Sequence, residues 1–109
     1  MTTPPTSPDI LLLWQNHPDP GVSLEELMDM ALTHAAFGQH PCIWLDADPQ
    51  SILSGHQQLL EKLAMLDDMG VTCFYDQHYH RSAFPAPLCP GTSELRAQLL
   101  EQAKFTFSF

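Results

Sequence analysis

Positive charge is what this sequence has least of: four Lys and Arg residues stand against 13 Asp and Glu, for a formal charge of −9 over 109 residues. A surface this acidic repels phosphate backbones, which excludes direct RNA or DNA binding by the chain alone. Long apolar runs are missing as well. No stretch nears the roughly 20 residues that cross a bilayer, and the opening MTTPPTSP has neither the basic start nor the apolar run of a signal peptide. The expected address is therefore the cytoplasm. Three cysteines without close pairing argue against a disulfide scaffold and for a reducing compartment. Phosphate-cradling glycine loops are absent too. The turn-rich stretch after the first apolar run, Pro18-Asp19-Pro20-Gly21, holds one glycine, which removes the main support for nucleotide binding.

What the chain does have is apolar bulk: 44% of residues are hydrophobic and 16% charged, enough for one core. The expected organisation is a loose tail over 1–8 and a single α/β domain over 9–109. Asp9 to Trp14 and Cys42 to Leu45 are unbroken apolar runs, the signature of strands covered on both faces in a parallel sheet. Between them Ser23-Leu24-Glu25-Glu26 reads as a capping box opening a helix. Leu24, Leu27, Met28, Ala31 and Ala35 form its buried face, and Gly38 is its left-handed stop. Ser54-Gly55-His56-Gln57 reads as a weaker cap before a second helix that Gly70 ends. Val71 to Tyr75 gives a third strand. The Pro-rich segment from Asp76 to Pro90 reads mostly as loop, with at most a short edge strand between Ala83 and Leu88. A third helix follows Gly91-Thr92-Ser93, and Phe105, Phe107 and Phe109 alternate with polar residues in a final half-buried strand. The predicted architecture is a three-layer, flavodoxin-like α/β domain with a mostly parallel sheet of four or five strands and about three helices.

Chemistry is sparse. Asp46 and Asp48 fall at the carboxyl end of a parallel strand, where such folds place ligands, and could hold Mg²⁺; termination of the strand before Pro49 is the stronger reading. His78-Tyr79-His80 beside Asp76 offers two imidazoles and a carboxylate, fewer than a closed metal site usually has without CxxC or HxxxH spacing. His17, His34, His40 and His56 are scattered over turns and helix surfaces. Cys42 and Cys73 lie inside strand runs, where a thiol behaves as a small hydrophobe. Cys89, just ahead of the third helix, is the one placed to see solvent. No Ser or Cys stands with a His base and an orienting acid, and the sequence implies no cofactor and no resident metal. The reading is of a subunit more than an enzyme.

The segment Ser23 to Phe37, the strand Cys42 to Leu45 with Asp46-Ala47-Asp48, the stretch Gln50-Ser51-Ile52-Leu53 and the tail Leu95 to Phe109 together resemble the DsrE/DsrF/DsrH-like sulfur-relay family, nearest its TusC/DsrF branch. That resemblance implies a flavodoxin-like subunit of a TusBCD- or DsrEFH-type complex, built from three different subunits each present twice. Such complexes pass persulfide sulfur toward 2-thiolation of the tRNA wobble uridine or serve sulfur oxidation. The implied partners are TusB- and TusD-like (DsrH- and DsrE-like) subunits, or further copies of the chain. The family's sulfur-carrying cysteine belongs chiefly to the TusD/DsrE-type subunit, near the end of a middle strand. In this chain that place holds Asp76, with Cys73 earlier in the strand, and a carboxylate cannot carry a persulfide. The resemblance thus implies a non-catalytic subunit, docking through apolar residues such as Trp14, Phe105, Phe107 or Phe109. The alternative is a stand-alone thiol or persulfide carrier acting through Cys89 or Cys73. A weaker third reading is a receiver-like or metal-dependent enzyme at Asp46, Asp48 and His78.

Overall fold

The computed structural model describes residues 8–15, 20–79 and 87–108, with backbone alone over 20–23. Five strands, β1 (Ile10–Trp14), β2 (Pro41–Leu45), β3 (Thr72–Asp76), β4 (Cys89–Gly91) and β5 (Phe105–Ser108), form one sheet in the order β4-β3-β2-β1-β5. Every pairing is parallel. Four helices accompany them: α1 (Pro20–Ala36), the short α2 (Pro49–Leu53), α3 (Gln57–Asp68) and α4 (Ser93–Gln102).

β1 and β2 are buried at every residue because both of their faces are covered. Side chains alternate along each strand, so the sheet has two separate cores. On one face Ile10, Leu12, Trp14, Ile43, Leu45, Cys73 and Tyr75 pack under α1, α2 and α3. On the other, Leu11, Leu13, Cys42 and Trp44 pack with Phe74 under α4, through Leu95, Leu99 and Ala103. Handedness explains the division. The crossovers β1-α1-β2 and β2-α2-α3-β3 step one way along the sheet, and β4-α4-β5 returns across it; right-handed connections then put α4 on the opposite face.

Local signals account for most element ends. α1 and α3 both stop in the same six-residue motif. After α1, Gly38 (φ +81°) donates to the Ala35 carbonyl and Gln39 to the His34 carbonyl. After α3, Gly70 (φ +80°) donates to Asp67 and Val71 to Leu66. A left-handed residue is needed at each site, which favours glycine. Lys62 on α3 ties the two helices together by reaching Glu25 at 3.1 Å and Asp29 at 2.7 Å on α1. Asp9 ties the strand starts: its backbone bonds His40, Lys104 and Phe105, and its carboxylate accepts the His40 N–H. That backbone bond holds the Asp9 carboxyl below its usual range.

Several expectations change. α1 begins at Pro20, three residues before the expected start, and its first turn holds no acid; a proline fits there because the opening N–H groups have no intrahelical partner. The fold class itself is as expected, a sheet of five strands with every pairing parallel, and the described residues add one short helix to the three read from the sequence. The extra one, α2, is capped by Asp48 with Pro49 in its first turn. Ser54 closes α2 and does not open α3, whose N-terminal residue His56 makes no side-chain cap. An edge strand after β3 lies at Cys89–Gly91; of the segment expected to supply one, Ala83 to Leu88, residues 83–86 lie outside the described residues and 87–88 are not in a strand. Pro8, assigned to the tail, is buried, while residues 1–7 lie outside the described residues. Trp14, expected at a subunit contact, is fully buried in its own core. No helix among the described residues is long and apolar enough to cross a membrane.

Candidate functional site at the carboxyl edge of the sheet

Parallel strands end together at one edge of the sheet, and in open α/β folds that edge is where ligands are bound. Here it gathers Asp46 after β2, Asp48 at the start of α2, Asp76 at the end of β3 and the Gly91-Thr92 junction between β4 and α4. Each acid has a local occupation. Asp46 takes the indole N–H of Trp44 on Oδ1 at 2.7 Å and the Arg96 guanidinium on Oδ2 at 2.9 Å. Asp48 accepts the Gln50 N–H at 3.0 Å as the α2 cap and lies 3.4 Å from the Ser51 hydroxyl. Asp76 accepts the His78 N–H at 2.9 Å and so opens the 3-10 turn Gln77–Tyr79. Both Asp46 oxygens are committed to the fold, and Asp48 is engaged in holding a helix start.

A metal reading gains nothing from this arrangement. Among the described residues no three His, Cys, Asp or Glu side chains stand close enough to share an ion. The His78 ring lies edge-on to Tyr79 at 5.9 Å, and His80 and His17 lie outside the described residues. Among the scattered histidines, His34 bonds the Gln39 side chain across the end of α1.

The thiols separate by strand and face. Cys73 faces the α1–α3 core and Cys42 faces α4; both are buried. Burial disfavours the thiolate, pushing Cys42 up to about 12 and raising Cys73 strongly. Neither is a nucleophile near neutral pH. Cys89 is exposed, on edge strand β4, in register with Phe74. It shares no described hydrogen-bonding arrangement with a base, and it does not meet Cys73, which points to the other face.

The linkage that sequence reasoning missed is Trp44–Asp46–Arg96, closed by Gly91. The Trp44 ring passes so close to Gly91 that an added Cβ would lie 2.7 Å from two of its atoms. This locks α4 to the ends of β2 and β4. Its signal was present in Trp44-Leu45-Asp46: residues two apart at a strand end share a face, which sets an indole N–H beside a carboxylate.

Comparison with known structures decides the fold. The YchN protein of Escherichia coli superposes over 94% of this chain and 99% of its own, with a TM-score of 0.78 at 17% sequence identity. A second structure, the conserved protein of unknown function BT1422 from Bacteroides thetaiotaomicron, covers 93% of this chain and 95% of its own, with a TM-score of 0.69 at 14% identity. The chain has a YchN-like, DsrE/DsrF-type fold. No family model and no curated protein matches the sequence. At these identities the YchN-like likeness extends to the five-stranded parallel sheet and its helices, and the residues that carry chemistry are argued from this chain alone.

Proposed function

We propose that this YchN-like chain is a non-catalytic subunit of a TusBCD- or DsrEFH-type sulfur-transfer assembly, one that relays persulfide sulfur toward wobble-uridine thiolation or sulfur oxidation. The observation that carries the reading is Asp76. At the end of β3, where the family resemblance sets the sulfur-carrying cysteine, a carboxylate holds a turn. The buried Cys42 and Cys73 have raised pKa values that leave them protonated. Exposed aromatic surface supports docking: Phe105 is 63% exposed, Phe107 44% and Phe37 82%, in a chain whose core is otherwise filled.

Two measurements test it. Native mass spectrometry of material drawn from its own host should show the chain with similarly sized companions; a bare monomer at low salt counts against it. The purified chain exposed to a persulfide donor should gain no stable sulfur by intact mass. The exposure of Cys89 favours the competing carrier reading, and a sulfur adduct present in the wild type and lost in Cys89→Ser would establish that reading instead.

A further inference from the structure

At the amino end of the sheet, opposite the acids, a cleft of about 110 Å³ opens between α4 and the starts of β2 and β3. Its floor is Cys42, Phe74 and Leu99, flanked by Leu95, Pro8 and Met69. Cys42 and Leu99 are buried and Met69 is 45% exposed, so the cleft runs from core to solvent. Its mouth carries Gln39, Thr72, Gln98 and Gln102.

Two properties of the lining define an occupant. First, among the described residues no Asp, Glu, Lys or Arg contributes to it, although the chain has 13 acidic and four basic residues. Among the described residues, the titratable side chains on the wall are the His40 imidazole and the Cys42 thiol. A charged ligand would lose part of its hydration here and find no counter-charge in the described lining, the Asp9 carboxylate beside His40 being engaged by the His40 N–H and by Lys104. Secondly, Gln98 and Gln102 are one turn apart on α4 and so share a face. Gln39 is engaged with His34, whereas among the described residues neither Gln98 nor Gln102 has a hydrogen-bond partner for its side-chain amide. Each amide offers both donors and an acceptor. The volume is somewhat below the ~150 Å³ of an apolar cavity that takes up benzene, which matches one ring whose edge reaches the open mouth.

We propose that this cleft binds an uncharged, single-ring heteroaromatic molecule. Its faces lie against Phe74, Leu95 and Leu99, and its polar edge meets the Gln98 and Gln102 amides. The site is independent of the sulfur-transfer reading, since it uses neither the carboxyl edge nor Cys89.

Nicotinamide, nicotinate and the cationic 1-methylnicotinamide share a ring and differ in charge, so they test the idea directly on ¹⁵N-labelled full-length protein. Nicotinamide should give saturable shifts at the backbone amides of His40, Cys42, Thr72 and Leu99, with a Kd on the order of 1 mM, as expected for so small a ligand. Both charged analogues should bind about tenfold or more weakly. Because they carry opposite signs, a shared loss separates desolvation from repulsion by the acidic surface. The Gln98→Leu/Gln102→Leu double variant alters two exposed helix positions and should keep its spectrum elsewhere while losing about tenfold in nicotinamide affinity. Three results would overturn the proposal: no saturable shift up to ~20 mM nicotinamide, equal binding of a charged analogue, or shifts that map to Asp46 and Asp76 instead.

Discussion

Gly91→Ala is the sharpest test of how the carboxyl edge is held. The new methyl would sit 2.7 Å from Trp44 Cη2 and Cζ3 and 3.4 Å from a Leu95 methyl. Relief requires the indole to move by several tenths of an ångström. The ring is fully buried, and its N–H is fixed to Asp46, which is itself fixed to Arg96. Phe74 lies against it as well, with ring centroids 5.9 Å apart. Overpacking of such a site typically costs about 1–3 kcal/mol, and the rigidity of this ring favours the upper end. Alanine also restricts the unfolded chain, which returns up to about 1 kcal/mol. The net loss should be about 2 kcal/mol, a fall in Tm of roughly 8–12 °C for a domain of this size. Urea unfolding followed by tryptophan fluorescence measures it. Trp44→Leu in the same background should recover part of the loss, with a coupling of about 1 kcal/mol in the double-mutant cycle. A single variant within about 0.5 kcal/mol of wild type would refute the argument, because the indole would then be free to yield.

The remaining expectations are more compact. Asp46→Ala should destabilise by about 2 kcal/mol, since it strands the buried Trp44 N–H, whereas Arg96→Ala, at a partly exposed pair, should cost about 1 kcal/mol or less; urea midpoints compare them, and the reverse order would show the ion pair to be the dominant contact. Stability should fall above pH 9: the folded state keeps the Cys42 proton to about 12, while the unfolded thiol releases it near 9.0. Unfolding is then favoured by up to about 1.4 kcal/mol per pH unit for each such thiol, and a pH series of urea midpoints should show a shallower slope for Cys42→Ala. Asp76→Cys tests the proposed role, because a thiol at that position should accept sulfur from a persulfide donor by intact mass where the wild type does not; failure to load would remove the argued correspondence with the family cysteine. Phe105→Glu and Phe107→Glu should leave the unfolding midpoint of the isolated chain within about 0.5 kcal/mol and abolish co-purification of any companion, and retained assembly would place the docking surface elsewhere.

Legibility followed the strength of local signals. The buried strands were readable because Ile10 to Trp14 and Pro41 to Leu45 are apolar at nearly every residue, a pattern that only double coverage satisfies. The stops at Gly38 and Gly70 were readable because a left-handed helix exit favours one residue type. β4 was not read as a strand because Cys89-Pro90-Gly91 looks like a breaker; paired only to β3 among the described strands, it can spare the proline's missing N–H. α2 was missed because five residues give no periodicity, and its real signal was Asp48-Pro49, a cap followed by a residue preset for the first helical turn. The same omission turned the exit of α2 into a false start for α3. At the site, sequence located the acids at the carboxyl edge but not their occupations. The Asp46–Arg96 contact joins residues 50 apart, and no local pattern encodes a pairing that depends on strand order.

Strand order also explains the exposed phenylalanines. Phe105 and Phe107 are in register with Ile10 and Leu12, so they belong to the sheet face that α1, α2 and α3 cover, and yet β5 is exposed at every residue. Both helical crossovers on that face, β1 to β2 and β2 to β3, step away from β5, and the one connection that reaches β5 travels over the opposite face. No segment within the described topology returns to shield those rings. The gap is therefore a property of the order β4-β3-β2-β1-β5. Filling it requires either a segment outside that order or a surface from another molecule, and an apolar face left open at one of the two edges of the sheet is what the docking role proposed above would use.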